Sequence, residues 1–188
     1  IVGAHEGYSG RISIRNCFNT GHIKGNDNIG GLCGLTNDSY GWGVSLLIQN
    51  SFNEGCVQGN NLIGGLTGNL DSRVWSSTIS SCYNAGDIIA NGINVGGLCG
   101  YIGRTSLSNT YNTGNVTAST TSGIGGLVGY MVDNSQLLNG YNTGKVSGET
   151  EDGITNGAII GFIQNSCQVK YSHSLRNDSV NLNLELYG

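Results

Sequence analysis

Any chemistry in this chain has to come from six cysteines, three histidines and twelve carboxylates, so their spacing is weighed first. Cys17 and Cys82 each stand directly before an aromatic residue, and Cys33 and Cys99 each fill the fourth place of a Gly-Gly-Leu-Cys-Gly run. The three sister segments of the chain lack cysteine at both places, with Ser51 and Thr67, Thr110 and Val128, and Gly140 and Ile160 standing there. Two positions that gain and lose cysteine together predict disulfides Cys17–Cys33 and Cys82–Cys99, each closing a short loop and worth about 2–4 kcal/mol. Such bonds imply an oxidising compartment; the alternative is buried thiols serving as small apolar residues. Cys56 and Cys167 are left over, several repeat units apart, and so available to crosslink between molecules.

The remaining reactive groups do not converge. His5, His22 and His173 fall at unrelated positions, and His22 shares its place in the repeat with Cys56, Asp87, Asn115 and Lys145, a mixture that reads as solvent-facing. Glu149, Glu151 and Asp152 form one acidic cluster, which reads as a solvated loop. Glycan-cleaving β-helices need two carboxylates flanking one bond, and no place in the repeat holds acids in adjacent units. Neither an H-E-x-x-H helix nor a calcium-loop pattern occurs. The expectation is a protein that is not an enzyme, with no catalytic residue, metal or cofactor. Thr20, Thr113 and Thr143 are too few for an ice-binding array.

The elements that position these residues follow from self-similarity. An aliphatic residue followed four positions later by aromatic-Asn-x-Gly recurs at Phe18, Phe52, Tyr83, Tyr111 and Tyr141, and Gly-Gly-Leu-x-Gly recurs from Gly30, Gly64, Gly96 and Gly125, with a looser copy from Gly157. Intervals between the aromatics are 34, 31, 28, 30 and 30 residues, the last reaching Tyr171. The repeats lie near 14–34, 48–68, 79–100, 107–129 and 137–161, with a terminal coil or strand over 167–188, all within one domain spanning 1–188. Tyr40 to Leu46 reads as a loop insertion that lengthens the first interval. With 33 Gly, no Pro and 11% charged residues, no stretch carries a helical period. Each unit holds only short apolar stretches that cannot bury their face alone, and it is too short for a propeller blade, so units must stack. Asn and Gly at fixed places suit turns with left-handed backbone. The prediction is an all-β, parallel β-solenoid of about six coils, roughly 30 Å long at about 4.8 Å per coil.

Stacking turns each recurring residue into a column. Phe18, Phe52, Tyr83, Tyr111, Tyr141 and Tyr171 form either a stacked internal ladder or a sugar-binding strip. Asn19, Asn53, Asn84, Asn112 and Asn142 form an Asn ladder, each amide bonding to the coils on either side. A net charge of −4 leaves no basic patch for nucleic acid, and no apolar run approaches the roughly 18–20 residues that span a bilayer, so membrane insertion is not expected.

At Gly31-Leu32-Cys33-Gly34 and its copies the chain resembles an array of GLUG motifs, and the resemblance covers nearly its whole length. Such arrays occur in filamentous-haemagglutinin-like bacterial adhesins and in the non-catalytic part of immunoglobulin A proteases. The resemblance implies a β-helical stalk or adhesive segment, extracellular or at the cell surface, whose partners are host or cell-surface glycans or proteins. A carbohydrate-binding module is the alternative. Ile1 reads as a processing site or a boundary. The segment Val180, Leu182, Leu184 and Leu186 alternates with polar residues as a strand does, which predicts either head-to-tail stacking of molecules into a filament or a strand folded back as a cap.

Overall fold

The computed structural model describes residues 2–6, 9–37, 43–119, 122–148 and 156–175. Their regular elements are all strands, and the strands are all paired in parallel between successive coils of a β-solenoid of about five turns with a period of ~31 residues. Four sheets run along the axis. In the third turn the chain passes through Ser77–Asn84, Ile88–Ala90, Val95–Gly96 and Cys99–Gly103, one strand in each sheet. The next turn repeats this with Thr105–Asn112, Val116–Ala118, Ile124–Gly125 and Val128–Val132. Parallel pairing keeps equivalent residues in register, as in Ile79 with Leu107, Tyr83 with Tyr111 and Asn84 with Asn112.

The longest strands carry a kink that explains their pattern. Asn16, Asn50, Ser81, Asn109, Asn139 and Tyr171 occupy equivalent places with φ between 49 and 53°, a left-handed conformation that Asn tolerates and most residues avoid. In Thr105–Asn112 the kink turns Ser108 and Asn109 outward in succession, after which Thr110 and Asn112 point in and Tyr111 points out. One extra outward residue thus separates the inward aliphatic column from the inward Asn column.

Two apolar clusters fill the bore. One contains Ile14, Ile48, Ile79, Leu107 and Leu137 facing Leu32, Leu66, Leu98 and Leu127; the other contains Val57, Ile88 and Val116 facing Ile63, Val95 and Ile124. The Asn column is buried at Asn53, Asn84, Asn112 and Asn142. Opposite it runs the second glycine of each Gly-Gly-Leu-x-Gly copy: a Cβ on Gly97 would overlap the Asn112 side chain and the Gly126 carbonyl, and one on Gly126 would overlap Asn142 and the Ala158 carbonyl. The motif is therefore the complement of the Asn ladder. Neither Gly97 nor Gly126 has positive φ, so close approach, and not the left-handed backbone expected of them, requires glycine there.

Two register expectations are corrected. Val44–Gln49 is a strand, with Val44 opposite Gly10 and Leu46 opposite Ile12, because Val44 and Leu46 are buried in the core; the extra length of that interval lies within 38–42, outside the described residues. Tyr171 is not the sixth rung of the aromatic column. Val169 takes the core place beneath Leu137, which sets the last offset at 32 residues, puts His173 opposite Tyr141 and leaves Tyr171 at the kink, 82% exposed.

Candidate interaction surface

Phe18, Phe52, Tyr83, Tyr111 and Tyr141 lie on the outer side of the long-stranded sheet because they alternate with the inward Asn that follows each. Their rings stack face to face, with centroids 5.3, 4.8, 4.9 and 5.0 Å apart and planes within 10° of parallel. His173 continues the stack at 5.8 Å from Tyr141. The column is stacked but lies outside the core, not inside it as expected: Phe18 is 59% exposed and the other four aromatics are half-buried. Because each inner ring is covered on both faces, it presents mainly its edge and, at the tyrosines, a hydroxyl. The Tyr83 hydroxyl donates to Glu54 at 3.1 Å.

A second stack was not foreseen. Tyr101, Tyr130 and Phe162 lie on the sheet containing Cys99–Gly103, with centroids 5.6 and 4.9 Å apart. They occupy the place just after Gly-Gly-Leu-x-Gly, which holds Leu35 and Asn69 in the first two coils, so an aromatic column is interrupted in sequence. Burial, with the Asp71 and Asp133 carboxylates nearby, pushes the Tyr101 hydroxyl up to about 12.

Inside, Asn19 donates to Asn53, Asn53 to Asn84, Asn84 to Asn112 and Asn112 to Asn142, at 2.7 to 2.9 Å. Each amide also donates to the carbonyl two residues on, Gly21, Gly55, Gly86, Gly114 or Gly144, closing its own turn. Buried amides demand this completeness, since a polar group left unpaired in a core costs about 1–3 kcal/mol.

All six cysteines are free thiols; neither Cys17–Cys33 nor Cys82–Cys99 is bonded. The four line one core cluster, Cys17 at its margin. The Cys82 thiol donates to the Ser80 carbonyl at 3.1 Å, and the Cys17 thiol to the Arg15 carbonyl at 3.1 Å. Burial pushes the Cys33 and Cys99 thiols up, and the Cys82 thiol to about 11. Cys56 and Cys167 are half-buried at different corners, Cys56 near Asp87, which together with burial raises its thiol.

His22, Asp87, Asn115 and Lys145 are exposed, and Asp87 accepts from the Asn115 amide and backbone N–H, so this column is a coil-to-coil turn clasp. Among the described residues no group of three or more His, Cys, Asp or Glu is placed to hold a metal ion, and no helix is long and apolar enough to cross a membrane. Glu149, Glu151, Asp152, Val180, Leu182, Leu184 and Leu186 lie outside the described residues. No family model, curated protein or solved structure matches the chain.

Proposed function

We propose that this chain is a non-enzymatic structural and adhesive β-solenoid that works outside the cell, as a stiff segment of a surface stalk or filament. The observation that carries this reading is the axial direction of its side-chain bonding. Asn19 through Asn142 hydrogen-bond from coil to coil and Phe18 through His173 stack from coil to coil, so the recurring polar and aromatic groups hold a rod together instead of meeting at a point. The GLUG-like Gly-Leu-x-Gly spacing agrees with such a stalk. A carbohydrate-binding role is the second reading, favoured by the half-exposed aromatic column, and it belongs to the adhesive side of the same proposal.

Assembly is head to tail in this proposal. Successive coils pair in parallel throughout, a geometry that a further coil from a second molecule can extend. Light scattering and negative-stain electron microscopy across a concentration series test it: rods that lengthen into fibres are the expected result, and loss of fibres with intact coils on deletion of 180–188 assigns the contact to that segment. A chain that stays monomeric at high concentration would remove the filament. The extracellular address carries its own check, because an oxidising compartment is where links Cys82–Cys99 and Cys17–Cys33, absent from the structure, are expected. Peptide mapping of unreduced material from the native source reads those links directly, and four alkylatable thiols would count against them.

A further inference from the structure

The corner between the sheet of Cys99–Gly103 and the sheet of Thr105–Asn112 is a single residue in the third turn, Arg104. The turns on either side are longer at this corner, running through residues 72–76 before Ser77–Asn84 and through 133–135 before Gln136–Asn142. A short corner between two long ones leaves a notch. It forms an open pocket of about 250 Å³ lined by Ser76, Arg104, Thr105, Ser106, Asn134 and Gln136, of which Ser76, Arg104, Asn134 and Gln136 are exposed.

The chemistry of this lining differs from that of the other corners. Where Asp27 meets Asn61 and Asp87 meets Asn115, neighbouring coils use their polar side chains on each other. Around the notch they do not: the side chains of Ser76, Arg104, Ser106, Asn134 and Gln136 make no hydrogen bond or ion pair among the described residues. The adjacent acids are otherwise engaged, Asp71 with Arg73 at 3.3 Å and Asp133 with the Asn165 amide at 3.0 Å. Arg104 is thus an exposed guanidinium with no carboxylate partner among the described residues. Its backbone is held, since its carbonyl accepts from Ser77 N–H at 3.2 Å and the next N–H, that of Thr105, donates to Ser135 Oγ at 3.1 Å.

We propose that this notch binds a carboxylate-bearing monosaccharide unit, with the Arg104 guanidinium taking the carboxylate while the amides of Asn134 and Gln136 and the hydroxyls of Ser76 and Ser106 take the ring hydroxyls. A planar guanidinium presents two parallel N–H donors to a carboxylate, and hydroxyl and amide groups both donate and accept, as sugar hydroxyls require. The volume lies below the roughly 300–1,000 Å³ of clefts that hold drug-sized ligands, which favours one sugar ring at a chain end or branch. This site rests on the adhesive side of the proposed function and gives it a ligand class.

The test is a chemical-shift titration of the isotope-labelled chain with N-acetylneuraminic acid, glucuronic acid, galactose and inorganic sulfate. The expected result is shifts confined to residues 76, 104–106 and 134–136 with one of the acidic sugars, the identity of that sugar distinguishing a sialic from a uronic source. Arg104→Asn removes the guanidinium yet suits the corner, where φ is 49°, and it is expected to weaken binding about 10- to 100-fold. Arg104→Lys, which keeps the charge and loses the fork, is expected to fall between. No shift with either acidic sugar, equal shifts with galactose or sulfate, or undiminished binding by Arg104→Asn would overturn the proposal. Thermal unfolding of Arg104→Asn alongside the parent shows that the rod is intact, so a failure here stays separate from a failure of the rod itself.

Discussion

At Asn84 a single side chain has three partners, accepting from Asn53 and donating to Asn112 and the Gly86 carbonyl at 2.7 to 2.8 Å. It also touches Gly65, where a Cβ would overlap its amide. The same geometry recurs at Gly97, so Gly97→Ala is expected to cost about 1–3 kcal/mol, the range for an overpacked core, and Gly97→Val more, because the overlap begins at Cβ itself. Denaturant unfolding of both variants measures this; an alanine tolerated at Gly97 would show that the ladder can shift to admit it. Tyr101 gives a pH dependence with a definite sign. Its hydroxyl is raised to about 12 from about 10 in an unfolded chain, so its contribution to stability is whole below about pH 10 and is lost as pH rises to about 12. Tyr101→Phe is expected to flatten that part of a stability-against-pH curve measured between pH 9 and 12.

At the scale of the strand, the fold class was legible because the two patterns recur at nearly constant spacing, and only a stacked parallel architecture puts Asn19, Asn53, Asn84, Asn112 and Asn142 on one line. The last register was not legible. Counting from ring to ring led to Tyr171, but burial of Val169 sets the alignment of the final coil, and a kink residue then stands where a rung was sought. Tyr101, Tyr130 and Phe162 escaped for a different reason: stacking needs only neighbours, so three aromatics suffice although Asn69 and Leu35 continue the line. The notch at Arg104 was beyond reach, since it is made by differences in corner length between coils, which a search for sameness discards. Position along the axis carries its own prediction. Leu98 is fully buried between coils on both sides, whereas Ile159, its equivalent nearer one pole, is only partly buried against the same cluster. Leu98→Ala is expected to cost about 2–5 kcal/mol and Ile159→Ala clearly less; equal losses in thermal or denaturant unfolding would contradict stability that grows from coil-to-coil contact.

For the molecule as a whole, the Asn ladder has a direction. One N–H of each side-chain amide from Asn19 to Asn112 points to the side-chain carbonyl oxygen of the following coil, and Asn142 ends the run by donating to the Ala158 carbonyl at 3.1 Å. Aligned amide dipoles of this kind add and polarise one another. The ladder therefore has a polar axis running through the interior, from the Asn19 amide to the Asn142 amide, which is capped by the Ala158 carbonyl. Two such rods meeting head to tail keep every strand parallel to its neighbour across the joint, whereas rods meeting like pole to like pole set the edge strands antiparallel. A fibre grown from this subunit is expected to be vectorial, its two tips chemically distinct and elongating at different rates.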